Sequence, residues 1–552
     1  MRLPLRTKDF RRVEEVKRRD PVELSERLEK ERVMTEILAR HEGSMELWPT
    51  QALALYEAAE NQGLLGSIGV GHGKTLISLL AGTVIPCDRP LLLVPAALKK
   101  VTIAERLPEI KKHWRVRDDL RIESYHALSN KYELLQEYAP DLIIADECHK
   151  LANRTSARTR RLLRYFRDNP KTKFVGLSGT ITRKSLKDYW HLLIAALKEN
   201  SPVPLKYQEM MDWATALDDG INDWERPPPG ALKRFTPHDK ATLGGFSRQE
   251  LLAECRTGYR NRLIETPGVI ATQQTGIGAS LVINKRSVEL SDEIKESLEE
   301  LRRNWVTPHG EEVTDAVDYW RKARELSQGF YYRWEWNGPA DQEWLVARSA
   351  WRSFVRRTTR QDKKRDTELR VVQACESGEI YSPEFAIWQA LKDRASPVTT
   401  AEWVCDSFLQ DAISQAKDKD ILIWFEQKAV GERLEELTAW PLFSGDGSGL
   451  EKQLGKGGPV LASVRSHGVG ANLQKYCQNL VLSPSPSGAT WEQLLGRTHR
   501  PGQQADEVEV VVYQHSPEFR EALEKARANS EYIEASTWQR QKLNFATIVQ
   551  GD

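Results

Sequence analysis

Short apolar runs alternate with amphipathic stretches over much of the chain, and the alternation divides it into segments. Between residues 46 and 200 the runs Leu64–Ile68, Leu91–Val94, Leu120–Ser124, Leu142–Ala145 and Phe174–Leu177 each have strand length. Stretches of helical period separate them, at Lys74–Gly82, Ala97–Lys112 and Ser156–Phe166. Strands spaced by helices predict a parallel, doubly wound α/β sheet, in which chemistry gathers at the carboxyl ends of the strands. Residues 381–552 return to the same character. Ile421–Phe425, Val460–Ser463, Leu480–Leu482 and the Val-rich Glu507–Tyr513 read as strands, and the tail from Pro517 reads as charged helix. The fold class expected is α/β, with two doubly wound parallel-sheet lobes.

Two segments break the alternation. Residues 1–45 are dense in both charges, with Leu24, Leu28, Val33 and Ile37 at roughly helical spacing, and predict one or two amphipathic helices against the first lobe. Residues 201–380 open with loop-like stretches, Arg226–Gly230 and Leu243–Phe246, and continue into a block holding Trp305, Trp320, Trp334, Trp336, Trp344 and Trp351. Arginines are interleaved with these rings. The block reads as a mainly helical, Trp-rich insertion whose rings form its own core. Stacking on nucleic-acid bases is the alternative, with Arg356–Arg360 and Lys363–Arg365 as the best basic groove.

Composition narrows the partners. The 552 residues exceed one ordinary domain, and 40% hydrophobic with 29% charged content fits a globular protein with real cores. Lys+Arg 80 against Asp+Glu 79 leaves a net charge of +1, so a polyanion site has to be a local groove. Six scattered cysteines form no C-x-x-C pair, which points away from zinc and from a disulfide framework and towards a reducing, cytoplasmic setting. Neither a signal peptide nor a membrane-length apolar run is expected.

The candidate chemistry lies at predicted strand ends. Gly69-Val70-Gly71-His72-Gly73-Lys74-Thr75 follows the first strand and opens a helix. Glycines and a helix start offer backbone N–H groups to phosphates, with Lys74 reaching the β- and γ-phosphates of a nucleotide and the Thr75 hydroxyl holding Mg²⁺. Ile68 stands where the strict pattern has glycine. Asp141–His149 is an apolar strand ending in two acids, Asp146 for the metal and Glu147 for the attacking water. Leu177-Ser178-Gly179-Thr180 ends another strand. The second lobe supplies Gly468-Val469-Gly470-Ala471-Asn472-Leu473, then Trp491 through Gln503. Arg497 and Arg500, three residues apart, suit entry into a phosphate site as arginine fingers.

In this order, with Trp48-Pro49-Thr50-Gln51, Val94-Pro95 and Tyr125–Leu128, these motifs resemble the superfamily-two helicase core of the Swi/Snf-type DNA translocase branch. Arg497-Thr498-His499-Arg500-Pro501-Gly502-Gln503 is the most branch-specific of them, and the style is similar to compact bacteriophage-encoded members. The resemblance covers about residues 46–200 and 415–515. It implies two RecA-like lobes, 46–200 and 381–552, with 1–45 and 201–380 as additions. It also implies an ATP site of Gln51, Gly71, Gly73, Lys74, Thr75, Asp146 and Gln493, with Glu147, Lys74, Arg497 and Arg500 catalytic and Mg²⁺ on Thr75 and Asp146. Ser178, Thr180, Gly468, Gly470 and Asn472 would couple that site to DNA, duplex rather than single-stranded. Cys148 stands for the usual small residue of the acidic box, and Ser483 stands where an aspartate is usual. A strand-separating helicase and a non-catalytic nucleic-acid-binding scaffold remain the alternatives. If phage-encoded, the protein belongs in the bacterial host cytoplasm.

Overall fold

The apolar runs fold into two separate all-parallel sheets in a computed structural model. It describes residues 3–550 apart from 20–23, 70, 131–132, 180–184, 219–225, 273–277, 337, 363–364, 366, 396, 446–448 and 468–471. The first sheet contains β1 (Leu64–Ser67), β2 (Pro90–Val94), β3 (Arg121–Ser124), β4 (Leu142–Asp146), β5 (Lys173–Ser178) and β6 (Val269–Ala271). Their order is β3-β2-β4-β5-β1-β6. β2 and β4 are buried along their whole length, which explains why they read as continuous apolar runs and not as alternating ones.

Next along the chain come β7 (Ser280–Arg286), β8 (Phe330–Glu335) and β9 (Val398–Trp403). The second sheet joins β7 to β10 (Ile421–Phe425), β11 (Leu442–Phe443), β12 (Val460–Ser463), β13 (Gln478–Val481), β14 (Glu507–Tyr513) and β15 (Thr547–Gln550). Its order is β11-β12-β10-β13-β14-β7-β15. These two parallel sheets, each dressed with helices, are consistent with two RecA-like lobes.

Residues 201–380 do more than form an insertion. They give β6 to the edge of the first sheet and β7 to the second, where it pairs with β14 from Glu507↔Ser280 to Tyr513↔Arg286. The remainder is mostly helical, and its β8 pairs antiparallel with β9, which lies beyond residue 380. Trp344 and Trp351 are buried, and Trp344 meets Trp334 and Trp388 edge-on at 5.2 and 5.3 Å. Arginines interleaved with the rings, and Arg356 at the start of the expected basic groove, are engaged within this unit. Arg348 and Arg352 reach the same Glu311 oxygen at 2.6 and 2.9 Å, and Arg356 reaches Glu312 at 3.3 Å. Lys363 and Lys364 lie outside the described residues.

The N-terminal segment folds as helices Lys8–Glu15 and Leu24–Leu38. The first buries Phe10 and Val13 in the core of lobe one. The second turns differently from the expected stripe, exposing Val33 and Ile37 and burying Met34 and Leu38. Met34 and Leu38 are also four residues apart, so packing against helix Pro49–Asn61, not spacing, selects the face.

Candidate active site: a phosphate loop facing two arginines

β1 ends at Ser67, and the loop after it turns over the carboxyl edge of the sheet into helix Lys74–Val84. Ile68 is fully buried among Ile77 and Leu177, so the position where the strict pattern has glycine is filled by a core side chain. Gly71 and Gly73 take positive φ, +92° and +73°. A Cβ on Gly73 would lie 2.1 Å from Gln51 Nε2, and one on Gly71 would lie 3.2 Å from Cβ of Arg500 in the second lobe. The loop is therefore confined by Gln51 on one side and by the opposite lobe on the other. Lys74 Nζ donates to the carbonyls of Ile68 and Gly69 at 3.0 and 3.3 Å and stands 3.7 Å from Glu147 Oε1.

β4 carries the two acids to the same edge. Thr75 Oγ1 donates to Asp146 Oδ2 at 3.4 Å. Glu147 adopts φ +60°, a left-handed conformation that few non-glycine residues hold. Its Oε2 accepts from Ser178 Oγ at 3.3 Å and lies 3.2 Å from His149 Nδ1, while His149 Nδ1 and Ser178 Oγ are 2.9 Å apart. Burial, then the neighbouring Glu147 charge, pushes Asp146 up to about 6. Burial also acts to raise Glu147, but Lys74, His149 and Arg497 outweigh it and hold that carboxyl well below the usual range.

The second lobe completes the arrangement. Helix Gly488–Thr498, capped by the Ser487 hydroxyl, presents Arg497, only 4% exposed, and the turn after it presents Arg500. Arg500 donates to Asn472 Oδ1 at 2.6 Å. Gln51, Lys74, Thr75, Asp146, Glu147, Arg497 and Arg500 line a single cleft of about 370 Å³. Gln493 lies elsewhere, in an adjoining pocket with His149 and Ser483, and its carbonyl accepts from Arg497 Nε at 3.0 Å. Thr180, Gly468 and Gly470 lie outside the described residues. Ser483 accepts from Arg324 at 2.6 Å, and the same guanidinium pairs with Glu426, so the carboxylate usual at 483 is replaced by a neighbour's.

Several residues at the site carried no recognised signal in the sequence. Thr272, just after β6, accepts from the Gly69 amide at 2.8 Å, and Arg106 reaches the Thr75 hydroxyl at 3.5 Å. Gln539 accepts from Ser67 Oγ at 2.7 Å, fully buried, and the Lys542 amide donates to Glu492 at 2.7 Å. Both stand in a tail whose charge reads as solvated helix.

The donor set suits a nucleotide with its cation. The Gly71–Gly73 turn keeps backbone close to the cleft where a Cβ would crowd it, and Thr75 with Asp146 offers two hard oxygens. Mg²⁺ is held by few protein ligands together with water and phosphate oxygens, so two suffice. Residues 95–222 match the SNF2-related domain. That region runs from the end of β2 past β5 and takes in Asp146, Glu147 and Ser178. It supports a Swi/Snf-type, superfamily-two helicase core. The SNF2-related match implies an enzyme family of the ATPase and helicase type, for which ATP and nucleic acid are the expected themes. No curated protein matches the chain. Among the described residues no helix is long and apolar enough to cross a membrane.

Proposed function

We propose that this protein is an ATP-dependent translocase on double-stranded DNA, coupling hydrolysis in the cleft between the lobes to movement along the duplex. The observation that carries the reading is the cleft itself, where Lys74, Asp146 and Glu147 from one sheet face Arg497 and Arg500 from the other. Lys74 and the loop amides would bind the β- and γ-phosphates. Thr75 and Asp146 would hold Mg²⁺, which supplies charge neutralisation on the phosphates when bound. Glu147, kept ionised by its cationic neighbours, would orient and polarise the attacking water. Arg497 and Arg500 would stabilise charge developing on the γ-phosphate, so that turnover depends on lobe closure. Ser178 and His149 contact Glu147 from the side away from Lys74 and would pass the state of the nucleic acid to it.

ATP turnover by the full chain with duplex DNA, single-stranded DNA, RNA or no polymer tests the proposal. Stimulation by duplex is the expected result, with displacement of a triplex-forming strand as evidence of movement. Turnover under none of these conditions refutes the enzyme reading. Stimulation by single strands alone would assign a strand-separating helicase instead.

A further inference from the structure

A second cavity, of about 1060 Å³, opens on lobe one and shares no lining residue with the cleft just described. Seven Lys and Arg side chains line it against one acid, Asp188. In a chain whose charges nearly cancel, this is a strong local excess of the kind that a polyanion recognises. Helix Ala157–Asp168 supplies most of it. Arg160, Arg164 and Arg167 are exposed and spaced i, i+4, i+7, hence on one face. At 1.5 Å rise per residue that face is about 10 Å long, an axial length over which one strand of a duplex carries roughly three phosphates.

The surroundings hold this face in place. Arg161, on another side of the helix, donates to the Leu128 carbonyl at 2.6 Å and ties the helix to its neighbour. The Arg154 guanidinium stacks over Trp190 and Tyr207 at 4.8 and 4.7 Å. Arg167 also pairs with Asp168 at 3.0 Å, an exposed contact that a phosphate readily replaces. His149 also lines the cavity, and its ring touches both Glu147 and Ser178.

We infer that the Arg160–Arg164–Arg167 face is a phosphodiester-backbone grip for the duplex, ending at the residue that contacts the catalytic carboxylate. The inference rests on the translocase reading and deepens it by locating the polymer on lobe one. Binding would be independent of base sequence and sensitive to salt, because backbone contacts position and do not read.

The test measures affinity of the full chain for a labelled duplex across a salt series. The triple substitution Arg160→Gln, Arg164→Gln, Arg167→Gln should make the slope of log K against log salt shallower by about 2.7, at about 0.9 for each phosphate no longer neutralised. Arg164→Gln alone should remove about 0.9, and it keeps the experiment decisive if the triple variant misfolds. Substituting Arg32, Arg303 and Lys428, exposed cations on other elements, should leave the slope unchanged. A wild-type chain that binds duplex with a slope unaffected by the arginine substitutions overturns the groove but not the translocase. A wild-type chain that binds no nucleic acid overturns both. Parallel series with single-stranded DNA and RNA separate the polymers, and a slope change confined to them overturns the duplex assignment.

Discussion

The two lobes share a scaffold and divide the chemistry. Both are parallel sheets with apolar strands buried on two faces, and β4 and β10 are equally dry. Yet the carboxyl edge of the first sheet carries a glycine turn, a lysine, a threonine and two acids, whereas the second lobe brings a pair of arginines on the helix Gly488–Thr498 and the turn after it. Neither edge alone has both the proposed phosphate cradle and the arginine pair. The scaffold therefore says little about activity, and the connecting segments say most of it. On the proposed reading such a site is complete only when the lobes are close, which would make the inter-lobe contacts part of the chemistry.

The largest effects should come from removing one half of that division at a time. Lys74→Ala should abolish turnover and weaken binding of a nucleotide analogue, since Nζ is the cation nearest the loop carbonyls. Arg497→Ala or Arg500→Ala should lower turnover by about 10³ or more and leave analogue binding to lobe one largely intact. Steady-state ATPase assays paired with analogue titrations distinguish the two patterns. If the arginine variants turned over ATP at the wild-type rate, the site would belong to lobe one alone.

How far the sequence shows this division depends on what kind of signal each part leaves. Strands β1, β2, β4, β5 and β10 are legible because burial on both faces demands largely apolar runs, and the loop and acids are legible because the proposed phosphate and metal chemistry would restrict residue type. β6 and β7 are hidden for a different reason. Each is short or only alternately buried, and each is followed or preceded by polar residues that look like insertion, so only sheet pairing marks them as strands. Thr272 belongs to the loop through a contact 203 residues away in sequence, which no local pattern records. The Arg-rich helix Ala157–Asp168 is legible as a helix but not as a groove, because its neighbours Lys187 and Tyr207 come from later in the chain. Conversely, the arginines beside the Trp block look like a surface and are neutralised by Glu311 and Glu312.

An intermediate effect should follow from the tail that joins the lobes. Gln539 reaches Ser67 at the foot of the phosphate loop, while β15 a few residues later pairs with β7 in the second sheet. Gln539→Ala leaves the buried Ser67 hydroxyl without that acceptor, at a cost of about 1–3 kcal/mol. The expected outcome is a lower denaturation midpoint, together with a change in nucleotide affinity that a substitution confined to lobe two would not produce. An unchanged midpoint and affinity would mean that the tail is only packed on the second sheet and does not brace the loop.

The smallest effect concerns a second contact between the same tail and lobe one, and it depends on pH. Tyr532 donates to Asp218 Oδ1 at 3.2 Å, and the Leu186 amide donates to the same oxygen at 3.0 Å. Burial raises Asp218 from its ordinary value to about 6, and the hydrogen bonds from Ser185, Leu186 and Tyr532 only partly oppose it. Because the folded-state value lies above the unfolded one, the folded chain binds this proton more tightly. The corresponding stability is fully present below about pH 4 and is lost as pH rises through about 6, which makes the carboxylate a cost on the order of 3 kcal/mol at neutral pH. Asp218→Asn keeps an acceptor of the same shape and removes the titration. The difference in unfolding free energy between variant and wild type should therefore shift in favour of the variant between about pH 4 and pH 7, by up to that amount. A difference that stays constant across this window would show that Asp218 is solvated when the lobes are in contact, and the closed contact around Tyr532 would then not be the state the chain holds in solution.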